Sequence, residues 1–402
     1  MKSTLLSLWH HKTIAALIVI EVAIASCLVV NALSVFLSKL GPMYWPTGIV
    51  NPTTLYLIRS QPVDADTAPG QGNYRAVDDL NAIRRASNVM AVAEVNTLPL
   101  LQEQWSVSVR SDRGAPIDTA VIAGTEGFIN TLGFRLVAGR PFKLEDSDDY
   151  TLAQGQTLSH TVMVSARLAE KIWPGQAAIG KTVVYGNNSE YHSLVIGVID
   201  RVVKPMPDTA EQNENVIFEQ VRPFDDGLYA FRSSAPGEHN VFGDAAEALR
   251  RVAPNRSFAL SETFEDVHRA YFEADRSLGY LLIFLIGSLM LVCWLGVGAL
   301  TSFWVRQRYR SIGIRRALGA TRRGIWWQFT GENLTVVSVG LLLGLPIALL
   351  TNGWLIEKYA IPPLNLFCLP IVVFVFYASC LSAIAYTLLK ATAVSPMVAV
   401  RS

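Results

Sequence analysis

Residues 278–305 read LGYLLIFLIGSLMLVCWLGVGALTSFWV, and residues 306–324, which follow directly, read RQRYRSIGIRRALGATRRG. The first stretch has no charged side chain over 28 residues, and a helix needs roughly 20 apolar residues to cross a bilayer. The second stretch contains seven arginines and no acidic residue. Because short basic segments beside membrane helices stay in the cytoplasm, the pair predicts a membrane helix that ends on the cytoplasmic side.

Three further segments are long and apolar enough to be membrane helices: 14–37, 329–355 and 366–389. Basic residues also precede the first of them and follow the last. The sequence therefore predicts an α-helical membrane protein with four transmembrane helices and a large α+β domain inserted between the first and second.

The basic flanks also predict which segments lie on which side of the membrane. The cytoplasmic segments are residues 1–13, 306–328 and 390–402. The external segments are residues 38–277 and the short loop 356–365.

The formal net charge of the 402 residues is only +1, but the charges are unevenly distributed. Residues 38–277 hold 22 basic and 30 acidic side chains, a net charge of −8, and the rest of the chain carries +9. The arginine segment is short, contains a single aromatic residue, Tyr309, and lies beside the membrane, so no nucleic-acid partner is indicated.

A basic start followed by an apolar run is also typical of a cleaved signal peptide. However, the apolar run of 14–37 is longer than a signal core, and VVNALSVF at 29–36 has no convincing small-residue cleavage site. These two features favour a first helix that is retained.

The external segment alternates short strands and helices, which predicts compact α+β subdomains. Predicted helices are RAVDDLNAIRRAS (75–87) and ARLAEKIW (166–173). Predicted strands are VMAVAEV (89–95), HTVMVS (160–165), KTVVYG (181–186) and HSLVIGVID (192–200). Residues 143–160 and 204–215 are predicted loops.

A helix capped by Ser261 or Thr263 is predicted to end the external domain and to continue into the second span as a stalk. Phe264, Val267 and Tyr271 follow at three- and four-residue steps, as one helix face requires. The alternative is a separate soluble helix, with a break at residues 275–277.

The four cysteines, Cys27, Cys293, Cys368 and Cys380, all fall in or beside the predicted spans. The external domain therefore has no disulfide framework, and its stability must come from a hydrophobic core. The histidines show no metal-ligand spacing and no nucleophile elbow occurs, so we predict no catalytic residue, metal site or cofactor in this chain.

One segment matches a nucleotide-binding pattern by its letters alone. GQAAIGKT, Gly175–Thr182, satisfies GxxxxGK[ST]. A functional phosphate loop follows a strand and opens a helix, because the N–H groups of the helix bind the phosphates. Here a predicted helix precedes the segment and the β-branched TVVYG follows it. The reversed order predicts that the segment binds no nucleotide.

Two carboxyl groups lie within predicted spans, and intramembrane acids are candidates for function. Glu21 lies about two turns inside the first span, and Glu332 lies near the inner end of the third. Both could also extend to the cytoplasmic interface, and neither has an evident basic partner at depth. We therefore predict no proton or ion path from them.

Four stretches resemble, in this order, the landmarks of the MacB/FtsX family of ABC transporter permeases. They are VIAGTEGFINTLGFRLVAGRPF (121–142), TVMVSARLAEKIWPGQAAIGKTVVYGNNSEYHSLVIGVI (161–199), RYRSIGIRRALGATRRGIWWQFTGENL (308–334) and KATAVSPMVAVRS (390–402). The resemblance implies one span, a large MacB-like periplasmic core domain and then three spans. It also implies that the GKT segment belongs to the core domain and binds no nucleotide.

In such permeases, the segment between the second and third spans docks on an ATPase subunit. The resemblance implies this coupling role for Arg308, Ser311, Ile312, Ile314, Arg315, Arg316, Ala317, Leu318 and Gly319. Helical spacing would place Ile314 and Leu318 on one face and the arginines on the other, and Thr321 could cap the next helix. The alternative is a retention signal on anionic lipid headgroups, at about 1 kcal/mol per basic residue.

The resemblance implies a non-catalytic permease subunit of a mechanotransmitting ABC exporter in the bacterial inner membrane, with ATP and magnesium on a separate ATPase subunit. Implied partners are a second permease, identical or paralogous, membrane lipids, a periplasmic membrane-fusion protein and a TolC-like outer-membrane channel. The substrate would be a peptide, antibiotic, toxin or similar molecule. Alternatives are a permease that extracts lipoproteins or envelope lipids, and an FtsX-like regulator of a cell-wall hydrolase. The large external domain favours the exporter over the regulator.

Overall fold

The computed structural model describes most of the chain. The described residues are 12–62, 72–101, 103–112, 114–149, 159–185, 191–207, 213–224, 227–234, 241–252, 254, 256–307, 321–359 and 364–392. The chain divides into two compact units, one of Trp45–Glu273 and one of Met1–Tyr44 with Ala274–Ser402.

In chain order, one long helix of the unit Met1–Tyr44 with Ala274–Ser402 is followed by all the elements of Trp45–Glu273 and then by three more long helices. The helices are α1 (Lys12–Met43), α2 (Gly72–Arg84), α3 (Phe128–Leu132), α4 (Ala166–Ile172), α5 (Val241–Val252), α6 (Phe264–Tyr271), α7 (Glu273–Gln307), α8 (Arg322–Tyr359) and α9 (Cys368–Thr392). The strands are β1 (Leu55–Pro62), β2 (Val89–Glu94), β3 (Trp105–Arg110), β4 (Ile117–Gly124), β5 (Leu136–Gly139), β6 (Thr161–Ser165), β7 (Thr182–Tyr185), β8 (His192–Ile199), β9 (Val216–Gln220), β10 (Leu228–Ser233) and β11 (Arg256–Thr263).

The helix unit consists of α1, α7, α8 and α9, and these four helices are long and apolar enough to cross a membrane. Their shared core includes Val22 of α1, Val297 of α7, Leu341 of α8 and Phe376 of α9. Many of their other apolar side chains are exposed, as expected for helices that face lipid. The stretches predicted as spans therefore correspond to the four longest described helices.

The directions of the four helices follow from their contacts. Along α1 and α8 the contacts advance together, from Val22 beside Gly340 to Asn31 beside Thr351, so these two helices run parallel. Along α1 and α7 they advance in opposite senses, from Glu21 beside Gly296 to Lys39 paired with Asp275. Consequently α1 and α7 are antiparallel.

The fourth helix completes the same alternation. The hydroxyl of Ser338 in α8 lies 2.8 Å from that of Tyr377 in α9, whereas the later Asn352 of α8 accepts a hydrogen bond from Leu364, before α9 begins. α8 and α9 are therefore antiparallel. The helix directions alternate along the chain, so α1 and α8 point one way and α7 and α9 the other.

The domain unit, Trp45–Glu273, contains an antiparallel sheet of four strands in the order β11-β1-β10-β2. Alternate residues of these strands point to opposite faces. On one face Ile58 and Phe231 pack with Leu80 of α2 and Leu249 of α5. On the other face the apolar side chains join a core that also includes Phe218 of β9. The sheet is thus buried on both faces.

Six further strands of this unit close into a ring. Their order is β8-β6-β9-β4-β3-β7, and β7 pairs again with β8, while β5 extends from the edge of β8. The ring interior is filled by apolar side chains such as Val121, Val162 and Val195, and α4 adds Leu168. The domain therefore has separate cores inside and outside the ring, and the α+β architecture predicted from the sequence is confirmed.

Arg232 of β10 joins the four-stranded sheet to the segments around it. Its guanidinium donates to the carbonyl oxygens of Val50 at 2.7 Å, Thr131 at 2.6 Å and Leu132 at 3.0 Å, and to the hydroxyl of Thr54 at 2.7 Å. Partial burial lowers the pKa of Arg232 from its usual value. The segment that follows α1 is thereby fixed to the C-terminus of α3.

The predicted continuous stalk is wrong at one position. α6 begins as expected, because the Thr263 hydroxyl caps it and Asp266 completes a capping box. The helix then ends at Tyr271, Phe272 has φ −94° and ψ 7°, and α7 starts at Glu273. Phe272 is buried and packs against the rings of His268 and Tyr271, so burial of this ring accompanies the break. Residues 275–277, the alternative break point, lie within α7.

Two glycines of α8 lie very close to α1. A Cβ atom at Gly340 would lie 2.7 Å from the Val22 side chain, and one at Gly344 would collide with the Ala23 carbonyl and the Ser26 hydroxyl of α1. Small residues spaced by four allow helix backbones to approach closely in membranes. α1 and α8 are therefore in near backbone contact.

Gly344→Ala should destabilise the protein, because the new methyl group meets backbone and must push α1 away, at about 1–3 kcal/mol. Gly353→Ala is the matched control in the same helix, since a Cβ there meets nothing within 4 Å. The measurement is thermal unfolding of the full chain in detergent. Equal unfolding midpoints for the two variants would contradict the close contact of α1 and α8.

Candidate functional site

The predicted coupling residues, Arg308 to Gly319, lie outside the described residues. The two flanks of this segment are described. α7 ends at Gln307, and the hydroxyl of Thr321 accepts a hydrogen bond from the Gly324 amide at 3.2 Å. The predicted cap at Thr321 is therefore confirmed, and the coupling role stays a prediction.

Glu21 lies at the contact between α1 and α7. A Cβ atom at Gly296 would lie 2.5 Å from one carboxyl oxygen of Glu21, so the carboxyl rests directly on the α7 backbone. The other oxygen, Oε1, is buried without a hydrogen-bond partner among the described residues. The structure thus places this carboxyl between helices rather than extended to an interface.

Glu332 lies in a different polar setting, on α8. It is 1% exposed, and its neighbour Asn333 accepts a hydrogen bond of 3.2 Å from Thr301 of α7. Thr301 also donates to the Val297 carbonyl in its own helix. Buried polar side chains therefore connect α7 with α8 near the predicted cytoplasmic end.

A third polar group was not predicted from the sequence. The Asn31 amide of α1 donates to Thr351 at 3.2 Å and to the Ala348 carbonyl at 3.4 Å, and Asn352 donates to Asn31 at 3.3 Å. Asn352 in turn accepts from the Leu364 amide at 3.1 Å. The sequence did contain a signal for this group, because Asn31 and Asn352 are amide side chains within the apolar runs of α1 and α8. These contacts join α1, α8 and the segment that precedes α9.

The hydrogen bonds of these polar groups run from helix to helix. Amide and hydroxyl side chains in membrane helices commonly stabilise packing in this way. The helices of this unit are therefore joined to one another by the hydrogen bonds of Asn31, Asn352 and Thr301.

The segment Gly175–Thr182, which matches the phosphate-loop pattern, has the element order that the sequence predicts, with α4 before it and β7 following it. Its amides bond to the domain itself: Gly180 donates to the Val195 carbonyl at 2.9 Å and Lys181 to the Ala178 carbonyl at 3.1 Å. The Lys181 ammonium lies 2.5 Å from the Gln176 side chain. The segment is a connection between α4 and β7, without a helix N-terminus directed at a ligand.

The domain unit also contains a pocket of about 490 Å³. Its apolar lining includes Trp45, Ile49 and Phe264, and its polar lining includes Arg135, Asp200 and Arg201. Arg135 hydrogen-bonds to Asp200 and lowers the pKa of that carboxyl, and Arg201 bonds Glu214 at 2.6 Å. Because each arginine already has a carboxylate partner, the pocket shows no specific preference for a charged ligand.

Two sequence families match separate parts of the chain. Residues 13–242 match the MacB-like periplasmic core domain. Residues 283–396 match the FtsX-like permease C-terminal family. The first match covers more than half of the chain, and the second covers most of α7, α8 and α9.

Individual relatives agree with these families. "Macrolide export ATP-binding/permease protein MacB" of Pasteurella multocida (strain Pm70) is 24% identical over 59% of this chain and 35% of its own length. "Uncharacterized ABC transporter permease YknZ" of Bacillus subtilis (strain 168) is 23% identical over 57% of this chain and 56% of its own length. The chain thus spans about a third of the first relative and about half of the second.

A solved structure of a related region is also similar. The periplasmic region of MacB from Actinobacillus actinomycetemcomitans is 15% identical, with a TM-score of 0.36, and covers 56% of this chain and 94% of that one.

Lys181→Ala should not change how the full chain responds to ATP, because the side chain bonds only locally and the loop amides are already engaged. The measurement compares the unfolding midpoints of the wild type and the variant with and without added ATP and magnesium. The midpoint without ATP is the control for a folding defect. An ATP-induced rise of the midpoint that occurs in the wild type and is lost in the folded variant would contradict the interpretation.

Proposed function

Because this chain belongs to the MacB/FtsX family of ABC transporter permeases, we propose that it couples ATP hydrolysis by a separate ATPase subunit to movement of its periplasmic domain. The movement would drive efflux of a peptide, antibiotic, toxin or similar substrate. The chain is a membrane protein with a periplasmic domain, and we place it in the bacterial inner membrane by the location typical of the family.

The observation that carries the proposal is the alternating direction of the four helices. Since α1 and α8 run parallel and α7 runs against them, the starts of α1 and α8 and the end of α7 lie on one side of a membrane. The segment 306–324, with its seven arginines, joins the end of α7 to the start of α8 in the sequence, and we propose that it lies on that same side. This agrees with cytoplasmic retention of basic segments, and it makes the segment accessible to an ATPase that works in the cytoplasm.

The close contacts and hydrogen bonds between helices of the helix unit support transmission of motion. Glycine contacts and amide hydrogen bonds hold α1 against α8, and Thr301 bonds α7 to α8. In this proposal α1, α7 and α8 move together when the ATPase acts on the segment between α7 and α8. The substrate need not pass between them.

The partners of the chain are part of the proposal. The name of the MacB relative combines ATP-binding and permease functions, whereas the YknZ relative is named a permease. We propose that ATP and magnesium bind a separate ATPase chain. A second permease copy or a paralogue, a membrane-fusion protein and a TolC-like channel complete the exporter.

A topology experiment tests which side each segment occupies. In a variant without the four native cysteines, Asp149→Cys should react with a membrane-impermeant thiol reagent added to the periplasmic side, because Asp149 is exposed in the domain unit. Ser311→Cys should react only after the membrane is permeabilised. The reverse labelling pattern would disprove the four-span arrangement.

A second experiment tests the coupling segment. Replacing both Ile314 and Leu318 with Asp would bury unpaired charges in a docked interface, costing several kcal/mol, and should abolish copurification of the ATPase. Arg308→Gln or Arg315→Gln is the matched control, since loss of one screened surface charge should weaken assembly only modestly and more at low salt.

The readouts are ATPase copurification and transport, with the unfolding midpoint of the domain as a check on folding. Full ATPase binding by the double Asp variant, together with lost insertion or inverted topology in the arginine variants, would show that the segment is only a retention signal.

A further inference from the structure

The pocket of the domain unit is built from segments that adjoin membrane helices in the sequence. Residues 45–50, which follow α1, form one part of its lining, and Phe264 and His268 of α6 form another. Trp45 comes two residues after Met43, where α1 ends, so its Cα atom lies within about 8 Å of the end of that helix. This part of the lining therefore stays close to the lipids around the end of α1.

The segment of residues 45–50 is fixed to the rest of the domain unit. A Cβ atom at Gly48, where φ is +89°, would lie 2.7 Å from the carbonyl oxygen of Arg201, so the two backbones nearly touch. The Val50 carbonyl accepts a hydrogen bond of 2.7 Å from Arg232. Ligand pockets are commonly preformed in this way and have volumes of about 300–1,000 Å³. The volume of about 490 Å³ falls within that range.

The apolar part of the lining suits a molecule that lies at a membrane surface. Ile49 and Phe264 are almost completely buried, whereas Trp45 is partly exposed. Tryptophan has a large apolar ring with one polar N–H group, and it is enriched where hydrocarbon meets lipid headgroups. Trp45 thus provides a surface for the part of a lipid between its headgroup and its acyl chains.

The polar part of the lining carries two positive and two negative side chains: Arg135, Arg201, Asp200 and Glu265. Arg135 uses Nε and Nη2 to bond Asp200, and Arg201 uses the same two atoms to bond Glu214. Among the described residues, Nη1 of each arginine has no hydrogen-bond partner, and the two side chains are 74% and 60% exposed. Donors for a phosphate group therefore remain, although the four charges sum to zero.

Glu265 offers the complementary group, an acceptor for a positive charge. Its Oε1 accepts a hydrogen bond of 3.3 Å from Arg269, one turn later in α6, and its side chain is 47% exposed. An exposed ion pair of this kind is weak, because water screens both charges. The second oxygen, Oε2, has no hydrogen-bond partner within the described part of the chain. The Glu265 carboxylate is therefore available to an ammonium group.

We propose that this pocket binds the headgroup of a zwitterionic phospholipid from the outer leaflet of the membrane. The phosphate accepts hydrogen bonds from Nη1 of Arg135 and Arg201, the ammonium group bonds Glu265, and the glycerol end packs against Trp45. An anionic headgroup without an ammonium group would leave Glu265 facing a second negative charge. The site concerns a bound lipid and holds for any exported substrate, so it goes beyond the function proposed above.

The experiment measures lipid binding to the full chain in detergent by native mass spectrometry. The probes are dioleoylphosphatidylethanolamine, which is zwitterionic, and dioleoylphosphatidylglycerol, which has the same acyl chains and no ammonium group. Because the arginine segment 306–324 also attracts anionic lipids, each lipid is compared between variants and not with the other lipid. The unfolding midpoint of each variant is the check on folding.

Two variants test the charged groups. The double variant Arg135→Gln with Arg201→Gln should weaken phosphatidylethanolamine binding about tenfold, because two donors to the phosphate lose their charge. Glu265→Gln should weaken it roughly threefold, as expected for one exposed pair, and should not weaken phosphatidylglycerol binding. Glu265 is exposed, so this variant remains decisive should the double variant fail to fold.

Each variant has a matched control in the domain unit. Arg222 forms an exposed ion pair with Asp149, and Glu247 forms an i,i+4 pair with Arg251 in α5. Neither lines the pocket, so Arg222→Gln and Glu247→Gln should bind both lipids as the wild type does. Unchanged phosphatidylethanolamine binding in the pocket variants, an equal loss in the controls, or an equal loss of both lipids in Glu265→Gln would each overturn the proposal.

Discussion

The near contact of the α1 and α8 backbones is the constraint on which the helix unit depends. α1 is separated in sequence from the other three helices by the whole of Trp45–Glu273, so short connections do not hold it in place. Gly340 and Gly344 bring α8 close enough for Asn31 to reach Ala348 and Thr351. Without this approach the amides would be buried without partners, which is costly in an apolar environment. Packing and hydrogen bonding therefore require each other.

Arg232 has a similar role in the domain unit, where contacts between distant segments must also be specified. One guanidinium satisfies carbonyl groups from the segment at Val50 and from the end of α3. Its donors occupy fixed directions in a plane, so these segments are fixed relative to β10. Gly133, which has φ +75°, leaves the space that the guanidinium occupies. A side chain at that position would collide with Arg232.

Local patterns in the sequence predicted the local structure well. Hydropathy identified the four long helices, alternation identified β6 and β8, and capping residues located the starts of α6 and α8. Patterns of this kind do not specify which strands pair with each other when the strands are far apart in the sequence. Closure of the ring by β7 and the pairing of β4 with β9 depend on such contacts. The break at Phe272 was missed because the helical spacing continues through it, and the burial of the Phe272 side chain that accompanies the break depends on tertiary packing.

The candidate sites were predicted less completely than the fold. Glu21 was identified by its depth, but its contact with Gly296 depends on how α1 and α7 pack. Glu219, a fully buried carboxyl of β9, was missed although its inward position between Ile217 and Val221 was a usable signal. The resemblance to known permeases, rather than periodicity, identified the coupling residues, and their role stays a prediction.

The parallel pairing of α1 with α8 also affects how the protein is made. Of the four long helices, the ribosome synthesises α1 before the others, and it synthesises α8, the glycine-bearing partner, only after the entire domain unit and α7. During that interval Asn31 has neither Thr351 nor Asn352 to bond, and Val22 has no glycine to pack against. The domain contains its own cores, so it need not wait for the last helices. Of the four long helices, α1 is therefore made earliest and yet is among the last to reach its final packing.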